Sequence, residues 1–157
     1  MTMQMLSLEN VDILVKLEQD ARMSEPDIFI EDFDAAKFKE GTEKALQNPL
    51  FAPARCMMCV NDEGRAVGRV DFSIVPSFSF GGGNLQAYVD WVYVLKEYRH
   101  RGVAQMLFTQ MACYIKDISV SEYFLIMAEN SEAQSFYRSI EGAEISNCDV
   151  LRGFVSY

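Results

Sequence analysis

The sequence predicts an α/β or α+β fold with a mixed sheet in a single domain, and three observations point to it. Residues 88–115 change period, from strand to helix, across a short basic turn. Apolar runs of strand length and of helix length follow one another along the chain without an internal repeat, a low-complexity segment or a linker. Half of the 157 residues are hydrophobic, which suits one domain with one core.

Residues 2–6 read as a first strand. Ser7 can cap a helix over roughly 8–22, with Leu8, Val11, Leu14, Val15 and Leu17 on its apolar side. Pro26 stops further helix. Asp34 can cap a second helix over 35–47, with Phe38, Ala45 and Leu46 inward and Gly41 weakening it by about 1 kcal/mol relative to alanine. Strands are expected over roughly 54–61 and 66–75, joined by the hairpin turn Asn61-Asp62-Glu63-Gly64. Residues 76–84 read as a mobile loop because they hold three glycines. Tyr88 to Val94 is a strand rich in Val, Tyr and Trp. Ala104, Leu107, Phe108, Met111, Ala112 and Ile115 line one face of a helix ending near Lys116. Tyr123 to Ala128 reads as a strand buried on both sides. Asn130 or Ser131 caps a fourth helix to about Ile140, closed by Gly142. Two short strands are expected near 143–147 and 150–156. The sum is about seven strands and four helices.

Composition excludes several classes. The net charge of −9 argues against nucleic acid, whose phosphates need a basic face. The chain has no apolar run of transmembrane length and no basic-then-apolar leader at its start, so a cytoplasmic protein without a membrane partner is expected. Cys56 and Cys59 stand three apart on a strand and therefore on opposite faces. With a single histidine and no second cysteine pair, no metal site is expected, and buried reduced thiols are the simpler reading. The nine methionines read as core filler.

The stretch Arg99-His100-Arg101-Gly102-Val103-Ala104 lies between strand and helix. A helix N-terminus carries unpaired N–H groups and partial positive charge, which attract phosphate. Gly102 permits close backbone approach, and Lys96, Arg99 and Arg101 add charge. On spacing alone, phosphate binding and an ordinary solvated turn stay equally open. The stretch is neither a Gly-x-x-x-x-Gly-Lys-Ser/Thr loop nor Gly-x-Gly-x-x-Gly.

These residues resemble the Arg/Gln-x-x-Gly-x-Gly/Ala signature of the GNAT N-acetyltransferases. Asn130, Ala133 and Phe136-Tyr137 match that family's Asn-x-x-Ala-x-x-Phe-Tyr helix, at the family's usual separation. The likeness is firmest over 56–145. The family usually reads Leu-Gly-Phe after the tyrosine; here Ile140-Glu141-Gly142-Ala143 inserts an acid. The resemblance implies one acyl-CoA N-acyltransferase domain over 1–157, with a mixed, mostly antiparallel sheet whose fourth and fifth strands splay around the cofactor's pantetheine arm. It implies acetyl-coenzyme A as co-substrate, gripped at its diphosphate by Arg99, Arg101 and the amides of Arg101, Gly102, Val103 and Ala104. The backbones of Val92 and Val94 would meet the pantetheine arm and the thioester, and Asn130 would bond the arm from the far side. A dimer is the family's habit.

Acetyl transfer to an amine needs a proton acceptor, because an alkylammonium predominates at neutral pH, and the departing thiolate gains from a proton donor. Asp90 is the candidate base; strand alternation puts it on one face with Tyr88, Val92 and Val94 and turns Trp91 away, as core rather than as a substrate contact. The alternative for Asp90 is a half-buried acid paired with an arginine such as Arg69. Glu129 is a second candidate base, and solvent a third. Tyr137 matches the family's proton donor. His100 reads as a solvated loop residue. In this family the first two helices roof the acceptor site, and here their connection, residues 25–34, holds five acids and no base. Phe29, Glu31, Asp32 and Phe33 would suit a small cationic amine: a polyamine, an aminoglycoside-like molecule or an amino-acid derivative. A peptide or protein N-terminus is the competing acceptor. A non-catalytic acyl-CoA sensor and a plain interaction domain are the other classes this fold allows.

Overall fold

The computed structural model describes residues 1–29, 31–79, 82–127 and 131–146. Among them, five strands and four α-helices follow the order β1 (Thr2–Met5), α1 (Val11–Ser24), α2 (Ala35–Gln47), β2 (Ala54–Val60), β3 (Ala66–Ser79), β4 (Gly82–Val94), α3 (Val103–Asp117), β5 (Tyr123–Leu125) and α4 (Ser131–Arg138). The strands form one sheet in the order β1-β2-β3-β4-β5, antiparallel except for the parallel β4–β5 pair. This is the mixed α+β fold the sequence implied, with fewer strands than expected. Residues 143–146 carry no strand, and the other expected C-terminal strand lies outside the described residues. The chain divides into two compact units, Met1–Ile126 and Met127–Tyr157.

The sheet has two covered faces. On one, Val70, Phe72, Ala87 and Val89 meet Leu107, Phe108, Met111 and Ile115 of α3, all nearly inaccessible to solvent. Phe72 meets Tyr114 edge-on at 5.8 Å. Gly68 is required here: a Cβ would lie 2.9 Å from the Tyr93 carbonyl oxygen and 3.2 Å from Val103 at the start of α3. The other face is covered by α1, whose Leu14, Leu17 and Ala21 pack with Met58, Tyr93 and Leu95. Asp34 caps α2 by accepting from the N–H groups of Ala36 and Lys37.

Three expectations need correction. Residues 76–79 and 82–84 are not a loop but the outer part of the β3–β4 hairpin, paired as Ser77↔Asn84, Phe78↔Gly83 and Ser79↔Gly82. Cross-strand pairing overrides the glycine content there. The first helix begins at Val11, not near residue 8, with Asn10 at its N-cap. The Asn10 side chain instead closes the preceding turn, accepting from Ser7 N–H and donating to the Met5 carbonyl. β5 is not buried on both sides, since Phe124 is 47% exposed and Ile126 is exposed just beyond it.

Candidate active site

The turn before α3 is shaped by two left-handed residues, His100 at φ 57° and Gly102 at φ 77°. Gly102 is the N-cap of α3 and offers no side chain, so the first helical N–H groups have no cap bond. The first bond back into the helix runs from Met106 N–H to the Gly102 carbonyl. The N–H groups of Arg101, Gly102, Val103 and Ala104 have no partner among the described residues. A Cβ at Gly102 would meet nothing within 4 Å. The result is a concave set of amide donors at the positive end of a fifteen-residue helix, open in front. That chemistry fits a diphosphate.

The two arginines of the turn differ. Arg101 is exposed, its guanidinium 5.5 Å from the centre of the Tyr98 ring. Arg99 turns inward: its Nε donates to the Val94 carbonyl at 3.1 Å and its Nη2 to Glu25 Oε2 at 2.5 Å. The same Glu25 oxygen accepts from the Tyr93 hydroxyl at 2.7 Å. Burial pushes the Glu25 carboxyl up, but the bonds from Arg99 and Tyr93 outweigh it and hold it below its usual value. Burial, then the Glu25 bond, push the Tyr93 phenol up to about 12.

β4 carries the second feature. Its register against β3 slips between Asp71 and Phe72: Asp71 faces Trp91, while Phe72 faces Val89. Asp90 is the extra residue of a β-bulge. The bulge changes the parity the sequence implied. Asp90 stays on the Tyr88 side, while Val92 and Val94, paired with Val70 and Gly68, lie on the α3 face. Trp91 does not turn away from Asp90; it lies on the α1 face, 40% exposed, with its ring 6.5 Å from Phe29. Trp91 is therefore not core. The Asp90 carboxylate is exposed and makes no hydrogen bond or ion pair with the described residues.

The backbone beyond the bulge is open on one side. Leu95 N–H bonds the Val67 carbonyl, and the alternation of an antiparallel pair then turns the N–H and C=O groups of Val92 and Val94 away from β3. On that far side the pairing of β4 with β5 ends at Val89↔Leu125. β5 itself ends at Leu125, so among the described residues no strand pairs with Val92 and Val94 on that side, where Arg99 Nε takes the Val94 carbonyl.

On the α1 face an ionic chain crosses the sheet. Arg69 Nη2 meets Glu18 Oε1 at 2.9 Å, Arg22 Nη2 lies 3.7 Å from Glu18 Oε2, and Arg69 Nε lies 3.4 Å from Asp71 Oδ2. Arg69 thus pairs with Glu18 and Asp71, not with Asp90. The other Asp71 oxygen, Oδ1, is buried with no hydrogen-bond partner. Burial raises the Asp71 carboxyl, the Arg69 charge and a hydrogen bond from the Cys56 thiol oppose, and the charges of Glu18 and Asp90 raise it further. Of these residues the sequence singled out Arg69 alone, as a partner for Asp90. The signal was there, as Arg69 and Asp71 are charges two apart in a strand that is otherwise largely apolar.

The acidic segment divides. Glu25 and Asp34 are committed to Arg99 and to the α2 cap, whereas Asp27, Glu31 and Asp32 are exposed. Phe29 packs edge-on to Tyr93 at 5.6 Å, with the Arg22 guanidinium 5.0 Å from its centre. Phe33 lies farther along, 5.4 Å from Phe38 and 4.6 Å from the Arg22 guanidinium. Of the four acceptor candidates, Phe29 alone has a ring contact with β4. In the second unit, Tyr137 stands on α4 with its ring 5.5 Å from Phe136. Burial raises its hydroxyl above the usual value. Asn130 and Glu129 lie outside the described residues. Cys56 and Cys59 are free and face opposite sides of β2, beside Asp71 and Gly68. Among the described residues no group of three or more His, Cys, Asp or Glu could hold a metal, and no helix is long and apolar enough to cross a membrane.

Comparison with known proteins bears on the family and the fold. The model of the acetyltransferase (GNAT) family matches residues 17–142. No curated protein sequence matches the chain. Among solved structures, one described as a probable acetyltransferase is 21% identical, with a TM-score of 0.77 and 99% of both chains covered. The aminoglycoside 6'-N-acetyltransferase AAC(6')-IG from Acinetobacter haemolyticus is 18% identical, with a TM-score of 0.70 over 99% of this chain and 100% of that one. A ribosomal-protein-alanine N-acetyltransferase from Brucella melitensis biovar Abortus 2308 is 21% identical, with a TM-score of 0.70 over 98% and 100%. At these identities the likeness concerns the fold.

Proposed function

The chain belongs to the acetyltransferase (GNAT) family, and from that premise we propose that it moves an acetyl group from acetyl-coenzyme A to a primary amine of a small cationic molecule. The observation that carries this is the pairing of two features around β4. An uncapped turn of amide donors sits at Gly102, and a bulge at Asp90 precedes main-chain groups that β3 leaves free.

The amides of Arg101, Gly102, Val103 and Ala104 would take the diphosphate, with Arg101 adding charge. Arg99 serves by fixing the turn to Val94 and Glu25. Val92 and Val94 would bond the pantetheine arm and direct an N–H at the thioester oxygen as negative charge develops there. Asn130 would complete that grip. Asp90 would take a proton from the ammonium, the freed amine would attack the thioester carbon, and Tyr137 would protonate the leaving sulfur. The exposed acids Asp27, Glu31 and Asp32, with Phe29, Trp91 and Phe33, suit a cation with an apolar or sugar body. An aminoglycoside-like or polyamine acceptor fits best. A peptide N-terminus is a second reading, favoured by the fold's likeness to the ribosomal-protein-alanine enzyme.

The test is thiol release from acetyl-coenzyme A in the presence of kanamycin, spermidine and an Ala-initiated hexapeptide, with products identified by mass. Acetylated kanamycin or spermidine supports the small-cation reading, and acetylated peptide alone replaces it. Binding of acetyl-coenzyme A without transfer to any amine would make the chain a sensor.

A further inference from the structure

The half-buried carboxylate of Asp71 has no role in the mechanism above, yet its setting is unusual. It stands on β3 opposite Trp91, at the step where the register slips and leaves Asp90 unpaired in β4. In such a bulge two consecutive residues oppose one, so Asp90 and Trp91 share the Asp71 position and Asp90 keeps to the same side of the sheet. Two acidic residues nineteen apart in sequence thus stand at one rung of the ladder.

Their surroundings differ in a useful way. Asp90 faces solvent. Asp71 has one oxygen sealed from solvent and unbonded, and its other oxygen is 3.4 Å from Arg69 Nε. Arg69 gives its closer contact, 2.9 Å, to Glu18. From α1, then, Asp71 meets a pair of Glu18 and Arg22; from β2 it meets the neutral thiol of Cys56, which burial pushes well up; from β4 it meets Asp90. Its own strand supplies Arg69 alone. Burial outweighs the Arg69 charge and the hydrogen bond from the Cys56 thiol, so Asp71 takes up a proton more readily than an ordinary aspartate. Two acids whose environments differ in this way are a common arrangement for passing a proton.

We propose that Asp71 is a positioning residue that works through Asp90, the two carboxylates sharing the proton removed from the acceptor ammonium. This rests on the acetyl-transfer reading above. The ammonium gives one proton to the Asp90–Asp71 pair, and the nitrogen lone pair forms the C–N bond as the C–S bond breaks. The second nitrogen proton ends on the coenzyme's sulfur, and the pair returns its proton to solvent. Net, ammonium and thioester become amide, thiol and one released proton. A shared proton makes the pair a stronger acceptor than Asp90 alone.

The experiment combines kinetics with a direct titration. The pH profile of kcat/KM for kanamycin or spermidine is measured for the wild type, Asp71→Asn, Asp90→Asn and the double variant. Asp71→Asn should lower the plateau about tenfold and move the acid limb to lower pH, with the KM for acetyl-coenzyme A unchanged. Adding it to Asp90→Asn should cost little more, because the two act as a unit. A wild-type profile in Asp71→Asn, or two losses that simply multiply, overturns the proposal. Carboxyl NMR of 13C-aspartate-labelled protein requires no acceptor and no folded Asp71 variant. The Asp71 signal should titrate above the ordinary aspartate range and fall when Asp90 is changed to Asn. A midpoint indifferent to Asp90 overturns the pairing. If the wild type acetylates none of the amines, the acetyl-transfer reading fails by itself, and the titration still decides whether the carboxylates are coupled.

Discussion

Glu25 Oε2 lies 2.5 Å from Arg99 Nη2, which ties the segment after α1 to the turn before α3. Tyr93 shares that oxygen, and the Arg99 Nε reaches the Val94 carbonyl. One carboxylate thereby fixes the arginine of the turn, a strand and the segment after α1. Glu25→Gln should destabilise the protein by about 1–2 kcal/mol at neutral pH, as expected for a charge-assisted bond at a partly buried site. Because the folded-state value of Glu25 is depressed, its contribution is present above the unfolded carboxylate value of about 4.3 and is lost as pH falls through the folded value. Urea unfolding at neutral and at acid pH checks this. The gap between wild type and variant should close in acid, and a gap of constant size would refute it.

Gly68→Ala should destabilise by about 1–3 kcal/mol, because the new methyl would stand 2.9 Å from the backbone oxygen of Tyr93 and neither strand can yield freely. The shift should also loosen Val103 and the start of α3. Thermal melts, with and without acetyl-coenzyme A, report both effects.

Gly102→Ala differs in kind. Its Cβ would meet open space, so the cost to folding is the left-handed backbone alone, about 1–2 kcal/mol. The methyl would stand where the diphosphate is proposed to lie. Affinity for acetyl-coenzyme A, read by calorimetry, should fall about tenfold or more, beyond anything the melting shift explains. Unchanged affinity would move the diphosphate elsewhere.

Asp90→Asn should lower turnover by about 10²–10⁴ at neutral pH. The loss should be largest at acid pH and shrink as the free amine becomes abundant, since less proton removal is then needed. A loss independent of pH would remove Asp90 as proton acceptor.

Much of the frame was legible in the sequence. The bounds of α2 and its Asp34 cap, the β2–β3 hairpin and the α3 periodicity follow from local chemistry, because short-range signals decide them. What was not legible depends on pairing. The bulge at Asp90 arises from register between two strands, and a period-two reading of β4 alone placed Val92 and Val94 with Asp90 and sent Trp91 inward. The outer hairpin was hidden by its glycines. The bond from Arg99 to Glu25, 74 residues earlier, has no local signal either. Asp71 gains interest only from the strand beside it.

If acidity at Asp27, Glu31 and Asp32 draws in a cationic acceptor, kcat/KM for that acceptor should fall steeply with added salt, since screening at about 0.1 M acts within about 10 Å. The KM for acetyl-coenzyme A should not follow it. A flat response would assign those acids to solubility.

The most direct measurement is a two-dimensional 15N amide spectrum recorded during titration with acetyl-coenzyme A. The largest shifts should fall on Arg101, Gly102, Val103 and Ala104, followed by Val92 and Val94. Shifts absent from these amides, or concentrated on another surface, would mean that the turn before α3 does not hold the nucleotide.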